Sequence, residues 1–548
     1  MAGILCSSSL GKFIHWLSGG QLLEFPEEKP GFCLSPPYST AARVGGNVES
    51  DTCDAECESS DQEHPSKWLV PDMTTDGTIL VGWYSDDDPG NPYNWPRWAK
   101  IMVYIQINFY TFVVYMSSAA FTPAEVEFQA EYGVPSSVGS LGMALVLLGY
   151  GIGPLLFGPL SDKPSIGRNP PYVISFTVFL IVSVLAAVVN NVPGFLFLRF
   201  AQGFFGSPCL ATGPASFADI TNLINLPSGL WIWGVCAVSA PTVAPTLASL
   251  CVTSKGWQWS MWLIVWFAAP CFLLLIFLPE TSSPAILYQR ARRLQVLTGN
   301  DAFKSSSEIN HAELSQETWY DFLIIPWKIN AFDPAILFTT LYTALVYAIF
   351  YSFFEAVPLV YQGVYAMSLL QTGAIFLTAI VAVLITTPFY LAITYVTISR
   401  PFKAGKMPSP EQRLIPGLLG SLVVPAGMFL FAWTSNPEFH WIVPTIGFLL
   451  FMVGMPTLLQ SMFAYMSVSY GRYAGSLFAM NDFARSVLAF ASILWSTPLY
   501  VNLGIDKGAS LIGALTVVCV FGIFALFWFG ATLRKRSRFA EYETDREL

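Results

Sequence analysis

The sequence predicts an all-α protein that crosses a membrane many times, and three observations support this fold class. First, 54% of the 548 residues are hydrophobic and only 11% are charged, whereas a soluble globular chain carries about 25% charged residues. Second, the apolar residues form long continuous runs, unlike the short alternating segments of a transmembrane barrel. Third, the lysines and arginines are concentrated in alternate connections between these runs. A soluble fold and a barrel are therefore both excluded.

Apolar windows of about 20 residues are long enough to cross a bilayer as helices. Twelve such windows can be placed in the chain. We place them near residues 101–121, 138–160, 172–190, 194–213, 229–250, 259–278, 335–356, 368–395, 414–434, 441–463, 474–498 and 509–532. The longest connection follows the sixth window, so the chain divides into six spans plus six.

The span positions predict five regions of the chain. They are an N-terminal tail (1–98), a first six-helix bundle (99–278), a central loop (279–334), a second six-helix bundle (335–532) and a C-terminal tail (533–548). The N-terminal tail is acidic and rich in serine, so we expect it to be largely disordered.

Two segments outside the spans have an amphipathic pattern. Residues 10–23 combine aromatic and aliphatic side chains in a way that suits an interfacial helix, although two glycines interrupt the segment. Residues 286–300 are basic and amphipathic. This second segment suits either a helix on the membrane surface or a solvated linker helix.

The distribution of lysine and arginine predicts the orientation. With the N-terminus in the cytosol, the cytosolic connections and tails carry 23 of these residues and the opposite side carries 2. Cytosolic loops of membrane proteins are enriched in positive charge. We therefore expect both termini to be cytosolic, which requires an even number of spans.

The remaining residue types argue against an enzyme. The four histidines lie in tails or loops, so an intramembrane metal centre would lack ligands. The nine cysteines are divided between the tail and the apolar runs and form no recognisable framework. No phosphate-binding glycine-rich loop is present, so ATP cannot directly drive the protein. We predict no metal, no cofactor and no nucleic-acid partner, and expect any energy input to come from an ion gradient.

Ionisable residues inside spans are the first candidates for function, because a charge at the bilayer centre costs about 2.5–3.5 kcal/mol. Asp482 and Arg485 lie three residues apart on one face of the eleventh span, near its middle. They are interpreted either as a proton-carrying carboxylate tuned by its arginine or as a permanently ionised structural pair. Glu355, towards the end of the seventh span, either carries a proton or lies at the headgroup boundary. Both interpretations remain open for each site.

Arg199 is the fourth ionisable residue inside a span. Gln202 lies on the same face of the fourth span. The pair predicts either a functional polar site or a polar clamp between neighbouring helices.

The connection after the second span carries a motif, GPLSDKPSIGRNPPY, with a glycine, an acid and a Gly-Arg pair. The matching residues are Gly158, Asp162, Gly167 and Arg168. This connection resembles the loop signature of the major facilitator superfamily, in which acid and base form a latch at the cytosolic face. Four residues separate the acid from the Gly-Arg pair here, instead of the usual two, which resembles one fungal branch.

Other segments resemble the same branch. The fourth span has Arg199, Gln202, Gly203 and Gly206 in matching places. Further similar stretches are residues 87–95, 277–300, 410–435 and 481–486. Together they cover most of residues 84–500, and on them the chain is identified as a member of the fungal twelve-span drug:proton antiporter family, similar to benomyl, methotrexate and azole resistance pumps.

One motif departs from that family. The fifth span keeps Pro241 and Pro245 but has Ala240, Ala244 and Ser249 where glycines are expected. The prolines free backbone carbonyls and can bend the helix, whereas the added methyl groups change the surface where helices would pack closest. This departure leaves the mode of coupling open without affecting the fold.

The resemblance implies a major facilitator fold, with two six-helix bundles around a central cavity that opens alternately to each side. It implies proton-driven export of small amphipathic organic compounds, with Glu355 or Asp482 as the proton carrier. Aromatic side chains are expected to form cavity walls for planar ligands. The candidates are Tyr110, Phe350, Phe354 and Trp495.

Two alternatives and several properties complete the expectations. The chain could instead be a dedicated exporter of one fungal secondary metabolite, or a non-transporting membrane sensor that uses its acidic tail to bind a partner. We expect a monomer that contacts membrane lipid, protons and a small-molecule substrate. The expected location is the plasma membrane, with the vacuolar membrane as an alternative.

Overall fold

Long apolar helices dominate the computed structural model of the protein. It describes residues 6–19, 21–29, 38, 69–74, 77–222, 225–309, 319–405, 408–470 and 474–537. Among these residues, eleven helices are long and apolar enough to cross a membrane.

The first half of the chain contains the elements up to the central connection. They are α1 (Ser9–Leu17), β1 (Ile79–Val81), α2 (Arg97–Ala119), α3 (Glu125–Tyr132), α4 (Ser136–Asp162), α5 (Asn169–Val188), α6 (Val192–Gly206), α7 (Pro208–Ile220), α8 (Leu226–Lys255) and α9 (Gln258–Leu275). The central connection contains α10 (Ser283–Thr298), β2 (Phe303–Ser305) and α11 (Trp319–Phe332).

The second half contains the remaining helices. They are α12 (Pro334–Pro358), α13 (Leu369–Ile375), α14 (Thr378–Thr394), α15 (Arg400–Lys403), α16 (Ile415–Thr434), α17 (Ile442–Ser469), α18 (Ala474–Leu503) and α19 (Ile505–Arg536). Short π-helical turns extend α12 through Leu359–Val364 and α14 through Tyr395–Ser399.

The fourth expected span, 194–213, differs from the others because it is divided. The helix stops at Gly206 and restarts at Pro208, giving α6 with 15 residues and α7 with 13. Proline has no N–H to donate to the preceding turn, so the break falls where the ring enters. Neither half reaches 18 residues alone, which explains why eleven single helices and twelve sequence windows describe the same spans.

Glycines allow the helices of each bundle to approach closely. A Cβ on Gly203 of α6 would lie 2.1 Å from the carbonyl oxygen of Val146 on α4. In the second bundle, a Cβ on Gly427 of α16 would lie 2.6 Å from the carbonyl oxygen of Gly447 on α17. Lipid provides no hydrophobic driving force between helices, so membrane helices associate through close van der Waals contacts that small residues allow.

The two bundles touch each other at several places, and glycines take part in two of them. At the first, a Cβ on Gly151 of α4 would lie 2.4 Å from the Ser486 side chain of α18. At the second, Thr246 of α8 donates a hydrogen bond to the carbonyl oxygen of Gly373 on α13, at 2.7 Å. Side chains from both bundles also line the cavity described below.

Parts of the N-terminal tail, which was expected to be largely disordered, form secondary structure. Helix α1 packs on the first bundle through a hydrogen bond from Leu10 N to Ile276 O, at 3.0 Å. Strand β1 pairs in parallel with β2 of the central connection. Residues 1–5, 20, 30–37, 39–68 and 75–76 of the tail lie outside the described residues. The segment expected to form an interfacial helix contains the helix α1, and its Phe13 and Trp16 side chains are exposed.

A buried arginine joins the tail to α10. Arg290 contacts Asp88 at 2.8 Å and Glu27 at 3.2 Å. Burial alone would raise the pKa of the Asp88 carboxyl, but the Arg290 guanidinium and the N–H groups of Tyr84 and Gly90 hold that pKa below its usual value. Helix α10 is thus fixed to the folded tail, and is more than a solvated linker.

Candidate functional site: the cavity between the bundles

Helices from both bundles line a cavity with two adjoining lobes, and most of the side chains that line it are apolar. The first lobe lies among aromatic side chains, and the second extends towards α7 and the start of α18. Residues lining the first lobe include Tyr115, Trp231, Trp233, Tyr347, Phe350, Gln460, Phe463 and Arg485. Residues lining the second lobe include Leu210, Pro214, Trp233, Gln460, Phe463, Phe478, Asp482 and Arg485. Aromatic walls with a few polar groups are typical of sites for organic ligands.

An ion pair on α18 supplies the charge in this cavity. Arg485 Nη2 donates to Asp482 Oδ1 at 2.5 Å, and the two side chains are 7% and 6% exposed. The guanidinium also lies over the rings of Tyr347 and Phe463, at 4.8 and 5.0 Å from their centroids. Asp482 Oδ2 is buried and makes no hydrogen bond to a residue that the structure describes. The pair therefore keeps one oxygen available for a proton or a ligand.

Tyrosines connect the two bundles next to this pair. The hydroxyls of Tyr150 on α4 and Tyr347 on α12 are 2.6 Å apart, and Tyr150 also donates to Tyr351 at 3.1 Å. Ser118 of α2 lies 3.3 Å from the Tyr351 hydroxyl. These groups form a hydrogen-bonded chain across the bundle interface. Sequence reasoning missed it, because the three tyrosines belong to two distant helices with no common motif.

Arg199 occupies a different environment, inside the first bundle. It is fully buried, and its guanidinium donates to backbone carbonyls at 2.6–3.2 Å and to Gln202 Oε1 at 2.6 Å. The carbonyl acceptors belong to Gly142, Ser117 and Ser118. Gln202 in turn donates to Ser183 of α5 at 2.8 Å. These hydrogen bonds join α6 to α2, α4 and α5, which is the geometry expected of a polar clamp.

Glu355 lies on α12 beside α18. Thr497 donates to Glu355 Oε2 at 2.9 Å, while Oε1 is buried and makes no hydrogen bond within the described part of the chain. Glu125, at the start of α3, is close enough to interact with it electrostatically. Glu125 accepts hydrogen bonds from Ser140 at 2.8 Å and Gln129 at 2.9 Å. Sequence reasoning missed Glu125 because the first span was expected to end at residue 121.

The Gly-Arg motif forms an ionic cluster at the end of the first bundle where the tail packs. Arg168 contacts Asp219 of α7 at 2.6 Å and Asp162 of α4 at 3.7 Å. Glu280 accepts the backbone N–H of Arg168 at 3.0 Å. Gly167 has φ +79°, and a Cβ there would lie 2.5 Å from Glu280 Oε2, so the turn needs glycine.

The remaining parts of this motif are placed as follows. Gly158 lies on α4 one turn before Asp162. The Asp162 carboxylate lies 4.0 Å from the Cβ position of Gly475, at the start of α18. Helix N-termini favour negative charge, so Asp162 lies in a favourable position beside the start of α18. Asp219 and Glu280 were not predicted, since their role depends on helices distant in sequence.

Pro241 and Pro245 lie inside α8, which continues through both. A Cβ on Gly373 of α13 would lie 3.0 Å from the carbonyl oxygen of Pro245 and 2.7 Å from Ser249 Oγ. The small residue at this contact is thus supplied by the opposite bundle. This arrangement accommodates Ser249 at a position where glycine was expected.

The four aromatic residues expected in the cavity wall are divided. Phe350 lines the first lobe. Tyr110 is buried inside the first bundle against Phe176, and Phe354 stacks on Phe376 at 4.9 Å, away from both lobes. Trp495 is 42% exposed on the outer surface. The expectation is therefore wrong for Tyr110, Phe354 and Trp495, because helix rotation, which the sequence leaves open, decides which aromatic side chains face inward.

The structure has no site suited to a metal ion in the part of the chain that it describes, since no group of three His, Cys, Asp or Glu side chains converges there. The polar groups that line the cavity are one ion pair, one amide, two tyrosine hydroxyls and two indole N–H groups.

Comparisons with known proteins identify the family. Residues 107–493 match the Major Facilitator Superfamily. The chain is 54% identical to the MFS-type transporter pyvG of Aspergillus violaceofuscus, over 98% of this chain and 100% of that protein. It is 35% identical to the cycloheximide resistance protein of Candida maltosa, over 98% of this chain and 100% of that protein.

A solved structure shares the fold. The proton:xylose symporter XylE, bound to 6-bromo-6-deoxy-D-glucose, matches with a TM-score of 0.58 at 13% identity, covering 79% of this chain and 97% of that one. Identity this low supports the fold alone. The shared fold confirms the predicted arrangement of helices around a central cavity. The chain belongs to the Major Facilitator Superfamily, among fungal transporters that include drug resistance proteins, and it is a transporter rather than an enzyme.

Proposed function

We propose that this transporter exports small amphipathic organic compounds and is driven by protons that move inward. The observation that carries the proposal is the aromatic cavity between the bundles, which contains an Asp482–Arg485 pair with one free carboxylate oxygen. The relative from Candida maltosa is named for resistance to cycloheximide, a property that export of a toxic compound would produce. Both features fit a drug exporter with alternating access.

Coupling requires a group that binds a proton on one side and releases it on the other. Asp482 and Glu355 are the candidates, because each has a buried oxygen without a hydrogen-bond partner among the described residues. Protonation of Asp482 would neutralise the partner of Arg485, and the charge in the cavity would change with it. A ligand bound near Arg485 then experiences different electrostatics in the two protonation states, as coupling requires.

The membrane and orientation follow from the same proposal. A drug exporter protects the cell best from the plasma membrane, with the vacuolar membrane as the alternative location. The excess of lysine and arginine on one side supports cytosolic termini. We propose that the protein acts as a monomer, since one chain contains the whole cavity.

A dedicated exporter of one metabolite is the second candidate function. The observation that favours it is the fixed wall of the cavity. Trp233 donates to Thr111 at 3.1 Å, while Trp231 donates to Thr387 at 3.2 Å and stacks on Tyr390 at 3.9 Å. Walls held in this way adapt less to ligands of different shapes than flexible ones do.

Accumulation of labelled compounds in cells tests both candidates. The host cells lack their own drug pumps, and cells that contain this protein are compared with cells that do not. The labelled compounds are cycloheximide, an azole and individual purified fungal metabolites. We expect lower accumulation of several compounds in cells that contain the protein, and loss of the difference after addition of a protonophore. A difference that survives the protonophore would contradict proton coupling, and export of one metabolite alone would support the second candidate.

A further inference from the structure

Four side chains line both lobes of the cavity and separate one lobe from the other. They are Trp233, Gln460, Phe463 and Arg485. A ligand in either lobe must contact this group, and a ligand that fills both must pass between its members. The chemistry of these four residues therefore selects the ligand.

The cavity as a whole carries no net charge. Arg485 is paired with Asp482 at 2.5 Å, and the other residues that line the two lobes are uncharged. An ionised ligand would leave water for a site whose single anion and single cation already neutralise each other, which is costly in an apolar environment. The site therefore favours uncharged molecules.

Trp233 provides a flat surface at the centre of the group. Its indole N–H donates to Thr111 Oγ1 at 3.1 Å, and the side chain is buried. This hydrogen bond fixes the ring, so a ligand can stack on its face without a further loss of side-chain conformational entropy. A planar ring is the shape that best uses such a surface.

Gln460 supplies the polar groups beside that surface. It is 6% exposed, lines both lobes, and its amide makes no hydrogen bond to a described residue. Neither atom of the amide is among the fully buried polar atoms, so both remain accessible, and a ligand that covered them without pairing would cost about 1–3 kcal/mol for each group left unpaired. A ligand that offers one donor next to one acceptor satisfies both ends of the amide.

We propose that this site takes uncharged planar molecules whose edge has a carbonyl beside an N–H, as in amides, lactams and imides. Gln460 pairs with that edge, and Trp233 stacks on the ring. The inference rests on the proposed function in one respect, since it takes this cavity as the binding site of the exporter. It adds the class of ligand and two residues that determine specificity.

Binding to the purified protein in detergent, without any gradient, tests the proposal. The probes are naphthalimide, N-methylnaphthalimide, which lacks the N–H donor, and a naphthalimide with a quaternary ammonium group. We expect the wild type to bind naphthalimide about tenfold more tightly than the N-methyl compound, and to bind the cationic compound more weakly than either.

Replacement of the amide should remove this preference. In Gln460→Leu, and in Gln460→Met if the first variant is unstable, the two neutral probes should bind with affinities within about threefold of each other. Gln106→Leu is the matched control, because Gln106 is a buried glutamine that donates to Leu274 O in the first bundle. That variant should keep the tenfold preference.

Three results would overturn the proposal. They are an unchanged preference in both Gln460 variants, binding of the cationic probe as tight as that of naphthalimide, and no binding of any probe to the wild type. Each is independent of proton coupling, because no gradient is present. Failure of the proposed function would appear instead in the cell accumulation experiment, so the two failures can be told apart.

Discussion

Each of the two bundles buries an arginine inside a span, and the surroundings of the two arginines differ. Arg199 in the first bundle donates to three backbone carbonyls and to Gln202. Arg485 in the second bundle is paired with Asp482 and lines the cavity, and its Nε and Asp482 Oδ2 have no hydrogen-bond partner in the described structure. An arginine whose three nitrogens all donate hydrogen bonds holds helices together. An ion pair with unpaired polar atoms can instead respond to a proton or a ligand.

The comparison shows that burial of a charge does not by itself mark a functional site. Both arginines are costly in a membrane, and both were equally visible in the sequence. The difference lies in the surrounding acceptors. Backbone carbonyls cannot change their protonation state, but a carboxylate can. The following predictions test this difference, from the largest expected effect to the smallest.

Replacement of each arginine by methionine gives the largest contrast. Arg199→Met leaves several buried acceptors unpaired, each at about 1–3 kcal/mol, so we expect a loss of at least about 3 kcal/mol and little folded protein. Arg485→Met leaves one carboxylate, which can take up a proton. Thermal unfolding of the detergent-solubilised variants measures the difference. Equal destabilisation by both substitutions would contradict the comparison.

Removal of the carboxyl charge should affect transport more than folding. If Asp482 carries the coupled proton, Asp482→Asn should reduce gradient-driven efflux at least about tenfold, which corresponds to 1.4 kcal/mol, and leave ligand exchange intact. The same test applied to Glu355→Gln identifies which carboxylate carries the proton. Efflux and exchange are measured in proteoliposomes with an imposed pH gradient. Undiminished efflux in both single variants would remove the proposed site.

The contact between the bundles at Gly373 gives a smaller effect. Gly373→Val places methyl groups against the Pro245 carbonyl and Ser249, so α8 and α13 must separate. We expect a transport rate several-fold lower, at a change in stability of about 1–3 kcal/mol for overpacking. The matched control is Gly363→Val, because a Cβ at Gly363 meets nothing within 4 Å. A control variant as slow as Gly373→Val would show that the contact is unimportant.

Arg290 provides a third case, in which an arginine is paired with a carboxylate that also accepts other hydrogen bonds. It is paired like Arg485, but both oxygens of Asp88 also accept backbone N–H groups, from Gly90 at 2.7 Å and Tyr84 at 3.0 Å. We therefore expect Arg290 to behave like Arg199. Asp88→Asn should loosen the folded part of the tail by about 1–2 kcal/mol without affecting ligand binding.

The contact between Asp88 and Arg290 should weaken at low pH. The pKa of Asp88 in the folded tail lies below its ordinary value of 3.8, so its contribution is complete at neutral pH and is lost as the pH falls through the folded pKa. Hydrogen exchange of residues 84–94 should increase at such low pH in the wild type. Asp86→Asn is the matched control, because Asp86 is exposed, and it should keep the wild-type pH dependence. Exchange independent of pH in the wild type would contradict the assignment.

Local relationships in the sequence predicted part of the candidate site. Asp482 and Arg485 are three residues apart on one helix, and so are Arg199 and Gln202, and the structure pairs both as expected. Such contacts depend only on helix geometry. Trp233 and Gln460 were not predicted, because they lie on helices of different bundles and meet only in the folded protein.

The sequence by itself determined that the chain is a helical membrane protein, where its spans lie and which of them carry charge. Hydropathy and residue spacing are properties of single segments, so they can be read without a partner. The tertiary structure alone decided which charge is saturated, which aromatic side chains face the cavity and which tail segments fold. Those outcomes depend on helix rotation and on close contacts such as Gly203 with Val146, which arise only when helices pack against each other.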